Sequence, residues 1–202
     1  FCSIPKFFFL YFSSLKAYDG NNIYISGQYD STQAFAWYYT NAWHTLDLAD
    51  SDPAAYTYAN AIAGNGLDIK VAGSYETGAT TNIYRACTWN NIETRTDLNA
   101  ATSPSSVSHI IRVGSDYYAA GFYTTGGKMR AAYWINNTLY DLPGGTDISA
   151  ANSIQVARGK VYVSGWYSNG GGGISCYWVD GKLHDLEAAD KSGTTGIGVV
   201  VK

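Results

Sequence analysis

Short apolar stretches ending in Gly-x-Tyr recur four times along the chain: IYISGQY (23–29), IKVAGSY (69–75), YYAAGFY (117–123) and VYVSGWY (161–167). Their glycines, Gly27, Gly73, Gly121 and Gly165, stand 46, 48 and 44 residues apart. Runs of this length, rich in Val, Ile and Tyr, read as strands. A second landmark follows each: an aromatic residue, a polar turn and then Asp-Leu. The last two copies, YWINNTLYDL (133–142) and YWVDGKLHDL (177–186), are nearly superimposable. The second, TWNNIETRTDL (88–98), is one residue longer. The first, YYTNAWHTLDL (38–48), carries Tyr39 where the others carry Trp89, Trp134 and Trp178. A third landmark precedes the glycine strand, with Ile62, Ile110 and Ile154 each 11 residues before their glycine. Two ordered landmarks in four copies, with a third in three of them, define a tandem repeat.

Each unit predicts four strands. In the last copy they span 153–157, 161–167, 175–179 and 182–186, and in the first copy the opening strand is Leu15–Tyr18. Arg158-Gly159 closes the first hairpin of the last copy. Asp180-Gly181 closes its third, with Asn136-Asn137 in the same place one copy earlier, as tight two-residue turns require. Four short antiparallel strands every roughly 40–45 residues is the spacing of a propeller blade. The expected architecture is all-β and β-propeller-like, with four four-stranded antiparallel blades at about 15–48, 59–98, 107–142 and 151–186. The first strand of a fifth is expected within 194–202, where Ile197 and Val199 repeat Ile154 and Val156. An unmatched strand points to a fragment of a larger propeller. A closed four-bladed ring with the extra strand on an edge is the alternative.

The recurrent residues have physical work in such a blade. The glycine and the small residue before it allow a neighbouring sheet to approach, or a local bend. The Trp of the third strand supplies apolar area that joins one blade to the next. Leu48, Leu98, Leu142 and Leu186 close the outer strand over that layer. The Asp before each is expected to accept backbone hydrogen bonds at the strand exit.

The repeat, V/I-Y-V-S/A-G-x-Y followed by A/C-Y-W-x-N/D-G/N-x-L-x-D-L, resembles the tandem repeats of bacterial secreted or surface proteins with propeller folds. It is kelch-like in size but lacks the kelch Gly-Gly doublet, the Trp-Asp ending of WD40 blades and the Ser-x-Asp-x-Gly-x-x-Trp box of sialidases. The resemblance covers residues 15–201. It implies the fold and an extracellular, cell-surface or periplasmic location, and it carries no catalytic residue.

Composition agrees with a packed β protein: 46% hydrophobic, 15% aromatic and 14% charged residues, with 18 Tyr, 6 Trp and 22 Gly. Such a chain can bury a core, and its aromatics suit a pleated, half-buried surface. The net charge of -3 gives no basic field for phosphates, so nucleic acid is excluded as an expected partner. Residues 1–14 fit no repeat. The apolar run Phe7–Phe12 after Lys6 loosely matches the charged and apolar parts of a secretory signal, so the segment reads as a partial signal peptide or as an upstream piece of a truncated reading frame. No stretch reaches the roughly 20 apolar residues that a spanning helix needs, so no membrane span is expected.

Candidate chemistry is sparse. No Ser-His-Asp order, GxSxG, HExxH or phosphate-cradling loop occurs, and neither cofactor nor metal is expected. The Gly-rich stretch 169–173 reads as a flexible hairpin. His44 and His184 fall on outer strands in slots that vary between copies and read as solvent-facing. Cys87 and Cys176 hold equivalent slots in non-neighbouring blades, too far apart to be bridged, and read as small buried apolar residues. Cys2 is a conceivable lipidation residue, Asp50-Ser51-Asp52 a conceivable Ca²⁺ loop, and Asn136-Asn137-Thr138 a formal glycosylation sequon. Propeller geometry directs attention to the loops between blades (50–58, 99–106 and 143–150) and to channel-side positions. The candidate ligand-binding residues are accordingly Asn60, Ser108, His109, Asn152 and Ser153. Three readings follow: a non-catalytic exported propeller binding protein or carbohydrate at a cell surface, part of a glycan-active enzyme with catalytic groups in other blades, or a structural spacer.

Overall fold

A computed structural model describes residues 10–18, 22–29, 33–48, 56–76, 83–91, 94–98 and 104–186. Sixteen strands among them form four separate four-stranded antiparallel sheets. The first sheet is β1 (Leu10–Tyr18), β2 (Asn22–Tyr29), β3 (Gln33–Tyr39) and β4 (Trp43–Asp47). The second is β5 (Thr57–Asn65), β6 (Asp68–Glu76), β7 (Tyr84–Asn90) and β8 (Arg95–Asp97). The third is β9 (Ser106–Val113), β10 (Asp116–Thr125), β11 (Lys128–Ile135) and β12 (Thr138–Asp141). The fourth is β13 (Ser149–Ala157), β14 (Lys160–Tyr167), β15 (Ile174–Val179) and β16 (Lys182–Asp185). Each strand pairs with its neighbour in sequence, so every sheet is a meander and each expected blade is one sheet. The expected fifth strand, Cys2 and Asp50-Ser51-Asp52 lie outside the described residues.

The inner strand of each blade starts earlier than its sequence suggests, at Leu10, Thr57, Ser106 and Ser149. A β-bulge is the reason. In all four blades the pairing between the first two strands skips one residue: Ser13, Asn60, Ser108 and Asn152. The extra residue reverses the in–out alternation, which hides the first half of the strand from a period-two reading. The bulge also explains the invariant glycine. A Cβ on Gly73, Gly121 or Gly165 would run into the carbonyl oxygen of Tyr58, Ser106 or Ala150, two residues before the bulged one. The close approach is therefore made within the blade, by its own inner strand, and not by a neighbouring sheet.

The two strongest sequence landmarks prove to be one interaction. The Tyr of Gly-x-Tyr donates its hydroxyl to the Asp of Asp-Leu in the same blade: Tyr75 to Asp97 at 2.8 Å, Tyr123 to Asp141 at 3.2 Å, and Tyr167 to Asp185 at 2.9 Å. The expected backbone bonding of that Asp is thus replaced by a side-chain bond that ties strand two to strand four across the intervening third strand. The third-strand cysteines Cys87 and Cys176 lie in the same layer, free and buried. Burial pushes the Cys176 thiol up to about 12, with Asp185 adding to the shift.

Strand alternation sends one face of each blade to the preceding blade and the other face to the next. In the third blade, Ala119, Ala132 and Trp134 join Ala61, Ala63, Ala72 and Leu98 of the second, while Ala120, Ala131, Tyr133 and Leu142 join Ile154, Val163 and Trp178 of the fourth. Trp89 packs in the same way into Tyr24, Leu46 and Leu48 of the first blade. All three indoles are buried, and each removes enough apolar area to stabilise its boundary by about 4–6 kcal/mol as an upper bound. A hydroxyl accompanies each contact. The amide nitrogens of Ala34, Ala86 and Ala131 donate to Thr57 Oγ1, Ser105 Oγ and Ser149 Oγ of the following blade at 2.7, 2.9 and 2.9 Å.

The register corrects the alignment of the first copy. Ile25 pairs with Trp37 just as Val71, Ala119 and Val163 pair with Trp89, Trp134 and Trp178. Trp37, and not Tyr39, is therefore the structural equivalent. The first copy is shorter from its glycine to the third-strand aromatic residue and longer in its outer hairpin, so counting back from Asp-Leu lands on the wrong aromatic residue. Tyr39 instead tilts against the exposed Trp43 at 5.3 Å. Trp37 is only half-buried, and Leu186 at the far end is 44% exposed while Leu48, Leu98 and Leu142 are buried. Among the described residues the four sheets do not close into a ring.

Two outcomes test this account. Gly73→Ala is expected to destabilise by about 2–3 kcal/mol, lowering Tm by several degrees, whereas Gly171→Ala, with open space around it, leaves Tm unchanged; calorimetry on both variants decides. The Tyr75 phenol is pushed up to about 12, chiefly by burial and then by its bond to Asp97. The neutral phenol's contribution to stability is complete below the ordinary tyrosine value near 10 and is lost as pH rises from there toward the folded value. Tyr75→Phe should therefore flatten the alkaline fall in the urea midpoint, and an unchanged slope would remove Tyr75 from the account.

Candidate functional site

A cleft of about 340 Å³ opens between the second and third blades, lined by Tyr58, Asn60, Ser74, Tyr84, Pro104, Ser106 and Phe122. Its position follows from the strand directions. Tyr58 and Asn60 lie at the start of β5, Ser74 near the end of β6, Tyr84 at the start of β7, and Pro104 and Ser106 lead into β9. These are the ends at which the inter-blade connections and the loops between second and third strands meet. The walls are aromatic. Tyr58 and Tyr84 stand edge to face, their centroids 5.3 Å apart and their planes at 78°. Burial first, then the hydrogen bond with Tyr84, then the charge of Glu76 push the Tyr58 phenol up to about 12, so it stays neutral at physiological pH.

The polar part of the lining is tied down. Asn60 Nδ2 donates to Val107 O at 2.7 Å and to Ser106 Oγ at 3.3 Å, and Ser106 Oγ donates to Ser74 Oγ at 3.3 Å. The bulge places Asn60 where it can cross the blade boundary. Thr124 Oγ1 holds the Pro104 carbonyl at 2.8 Å. The lining offers hydrogen-bonding groups and ring faces and no charged side chain of its own.

The five residues expected from the sequence fall in different places. Asn60 lines the cleft. Ser108 and Asn152 are the bulged residues of the third and fourth blades. His109 and Ser153 meet across the next boundary: the Ile154 amide donates to His109 Nδ1 at 3.2 Å, and Ser153 Oγ stands 3.4 Å from the same atom. The backbone donor makes Nδ1 an acceptor, which places the neutral ring's proton on Nε2. His109 is thus a clip between blades. His44 and His184 each stack on a third-strand tyrosine, Tyr38 at 4.6 Å and Tyr177 at 4.9 Å.

Sequence reasoning missed Ser74, Tyr84 and Phe122. A signal was present: Ser74 and Phe122 occupy the x of Gly-x-Tyr, a slot held by Gln28, Ser74, Phe122 and Trp166 in successive copies between two fixed neighbours. Tyr58 and Ser106 end two of the inter-blade loops already singled out. Among the described residues no group of three or more His, Cys, Asp or Glu could hold a metal.

No family model and no curated protein matches the chain. Solved structures do. A Trypanosoma rangeli sialidase superposes with a TM-score of 0.53 at 12% identity, over 93% of this chain and 37% of its own. The likeness is one of fold. A mutant of AofleA from Arthrobotrys oligospora, with three arginines changed to alanine, gives a TM-score of 0.46 at 11% identity over 94% of this chain and 60% of its own. The chain thus spans less than two thirds of either protein. The β-propeller architecture expected from the repeat stands, as an open set of four blades.

His109→Ala should cost about 1–3 kcal/mol, because it strands the amide of the fully buried Ile154, while leaving ligand binding at the cleft intact; denaturant unfolding and a binding assay on one preparation check both halves.

Proposed function

We propose that this chain is a non-catalytic, exported propeller of the bacterial secreted or surface kind, holding a protein or carbohydrate ligand at a cell surface in the cleft between its second and third blades. The observation that carries the reading is the cleft itself: ring faces from Tyr58, Tyr84 and Phe122 beside an amide and two hydroxyls already fixed by mutual hydrogen bonds. Ring faces take the C–H surface of a sugar or an apolar side chain, and preorganised polar groups lower the ordering cost of binding. The lining contains no histidine and no pair of carboxylates, the groups on which acid–base and glycosidic chemistry draws.

Screening the protein against printed glycans and surface peptides tests the proposal. Tyr84→Ala is expected to weaken any specific ligand by about tenfold or more, with the far-ultraviolet spectrum unchanged. Binding that survives in a folded Tyr84→Ala variant would move the site elsewhere, and the absence of any ligand would favour a spacer.

A further inference from the structure

The loop between β14 and β15 carries Asn169-Gly170 followed by three more glycines, and Asn169, Gly170 and Gly171 are exposed. The asparagine side chain is nevertheless held. The Thr146 backbone N–H donates to Asn169 Oδ1 at 2.8 Å, and Thr146 Oγ1 stands 3.4 Å from the same atom. A backbone donor identifies that atom as the amide oxygen. Beside it, Gly170 N donates to Ser168 Oγ at 3.2 Å, and Ser168 Oγ gives its own proton to Gly171 O at 3.0 Å. A Cβ on Gly170 or Gly171 would meet nothing within 4 Å, so no side chain crowds the stretch.

These contacts supply the parts of an acyl transfer within one pair of residues. The Asn169 side-chain carbonyl carbon is the electrophile. Gly170 N, joined to it through the asparagine's own backbone, is the nucleophile, and attack closes a succinimide ring. Ser168 Oγ has its proton committed to Gly171 O and presents a lone pair to the N–H that must be lost. The Thr146 donors point at the oxygen on which negative charge develops, and its N–H lies within the range of an oxyanion-hole donor. The chain's other Asn-Gly step, Asn65-Gly66, is placed differently. Asn65 ends β5 and pairs with Asp68 in the hairpin ladder, and the Gly66 carbonyl accepts from Tyr24 Oη at 3.2 Å.

We propose that Asn169-Gly170 is a self-modifying site, at which Gly170 N displaces ammonia from the Asn169 side chain with the help of Thr146 and Ser168. A bond forms between Gly170 N and Asn169 Cγ, the Cγ–Nδ2 bond breaks, and the proton lost from Gly170 N leaves with the ammonia. Water then opens the succinimide at one of its two carbonyls. The product is an aspartate, or an isoaspartate whose main chain runs through the β-carbon. The position gives the change a consequence. Asn169 Oδ1 helps to hold the connection between the third and fourth blades, beside the bonds from Ser168 N to Ile148 O at 2.7 Å and from Asp147 N to Ser168 O at 3.1 Å. Aspartate keeps the acceptor and adds a charge, whereas isoaspartate displaces it along a lengthened backbone and loosens this seam. The site is separate from the cleft and independent of the function proposed for it.

Incubating the whole folded protein in mildly alkaline buffer and mapping its peptides by mass spectrometry tests the assignment. Conversion at Asn169 is expected to run about tenfold or more ahead of conversion at Asn65, with one ammonia released per event. In the urea-unfolded chain the two steps should convert at like rates, because only the fold distinguishes them. Ser168→Ala and Thr146→Pro are each expected to slow Asn169 by about tenfold and to leave Asn65 unchanged. Ser168→Ala decides alone if Thr146→Pro fails to fold. In converted protein the Thr146 amide should exchange its hydrogen faster than in the parent, and an unchanged rate overturns the loosening of the seam. Equal conversion of Asn169 and Asn65 in the folded protein overturns the proposal as a whole. So does a Ser168→Ala variant that converts as fast as the parent or faster, since the contacts would then only hold the loop.

Discussion

A four-stranded sheet has two faces and cannot bury either alone, so this structure depends on the contact that one blade makes with the next. That contact is the third-strand indole lying on the previous blade, with the leucine after the outer strand on the receiving side. Because strand side chains alternate, Trp134 and its neighbour Tyr133 serve opposite boundaries from adjacent positions. Each blade is at once a donor and an acceptor of the same contact. Among the described residues, Trp37 of the first blade is half-buried and Leu186 of the last is exposed, as this scheme expects at the two end blades.

Within a blade the controlling feature is the bulge of the inner strand. It brings that strand's backbone against the second strand closely enough to require glycine, and it frees one side chain per blade from the alternation. In the second blade the freed residue is Asn60, which spends its amide on the next blade and so helps shape the cleft. Scaffold and site are therefore linked: the glycine that makes the repeat visible in the sequence marks the bulge that delivers a polar group to the boundary.

The scaffold was legible because its residues repeat. Glycine, Tyr, Trp and Asp-Leu each answer one local constraint that is the same in every blade, so spacing alone exposes them. What spacing did not expose was pairing between landmarks. That Tyr75 bonds Asp97 depends on two strands separated by a third, and that Trp37 replaces Tyr39 depends on loops that trade length. The candidate site was less legible for the opposite reason. Asn60 was found from its place on the inner strand, whereas Ser74, Tyr84 and Phe122 come from three strands in two blades and share no motif.

How the cleft arises at the middle boundary follows from how the variable slots are filled. Between the first and second blades, Gln28 donates from Nε2 to the Thr57 carbonyl at 3.1 Å and bridges the gap. Between the third and fourth, the connection closes on the adjoining loop: Ser168 N bonds Ile148 O at 2.7 Å, Asp147 N bonds Ser168 O at 3.1 Å, and Thr146 N bonds Asn169 Oδ1 at 2.8 Å. Arg130 adds a bond to the Gly145 carbonyl at 3.0 Å. Both boundaries carry hydrogen bonds across the space where a cleft would lie. At the middle boundary Ser74 stands in place of Gln28; it accepts a bond from Ser106 Oγ at 3.3 Å, and the shorter side chain leaves a space bordered by the rings of Tyr58, Tyr84 and Phe122. A repeat whose scaffold slots are fixed can specialise one boundary by shortening a single side chain, because the indole contact beneath keeps the blades together whether or not the groove above it is filled.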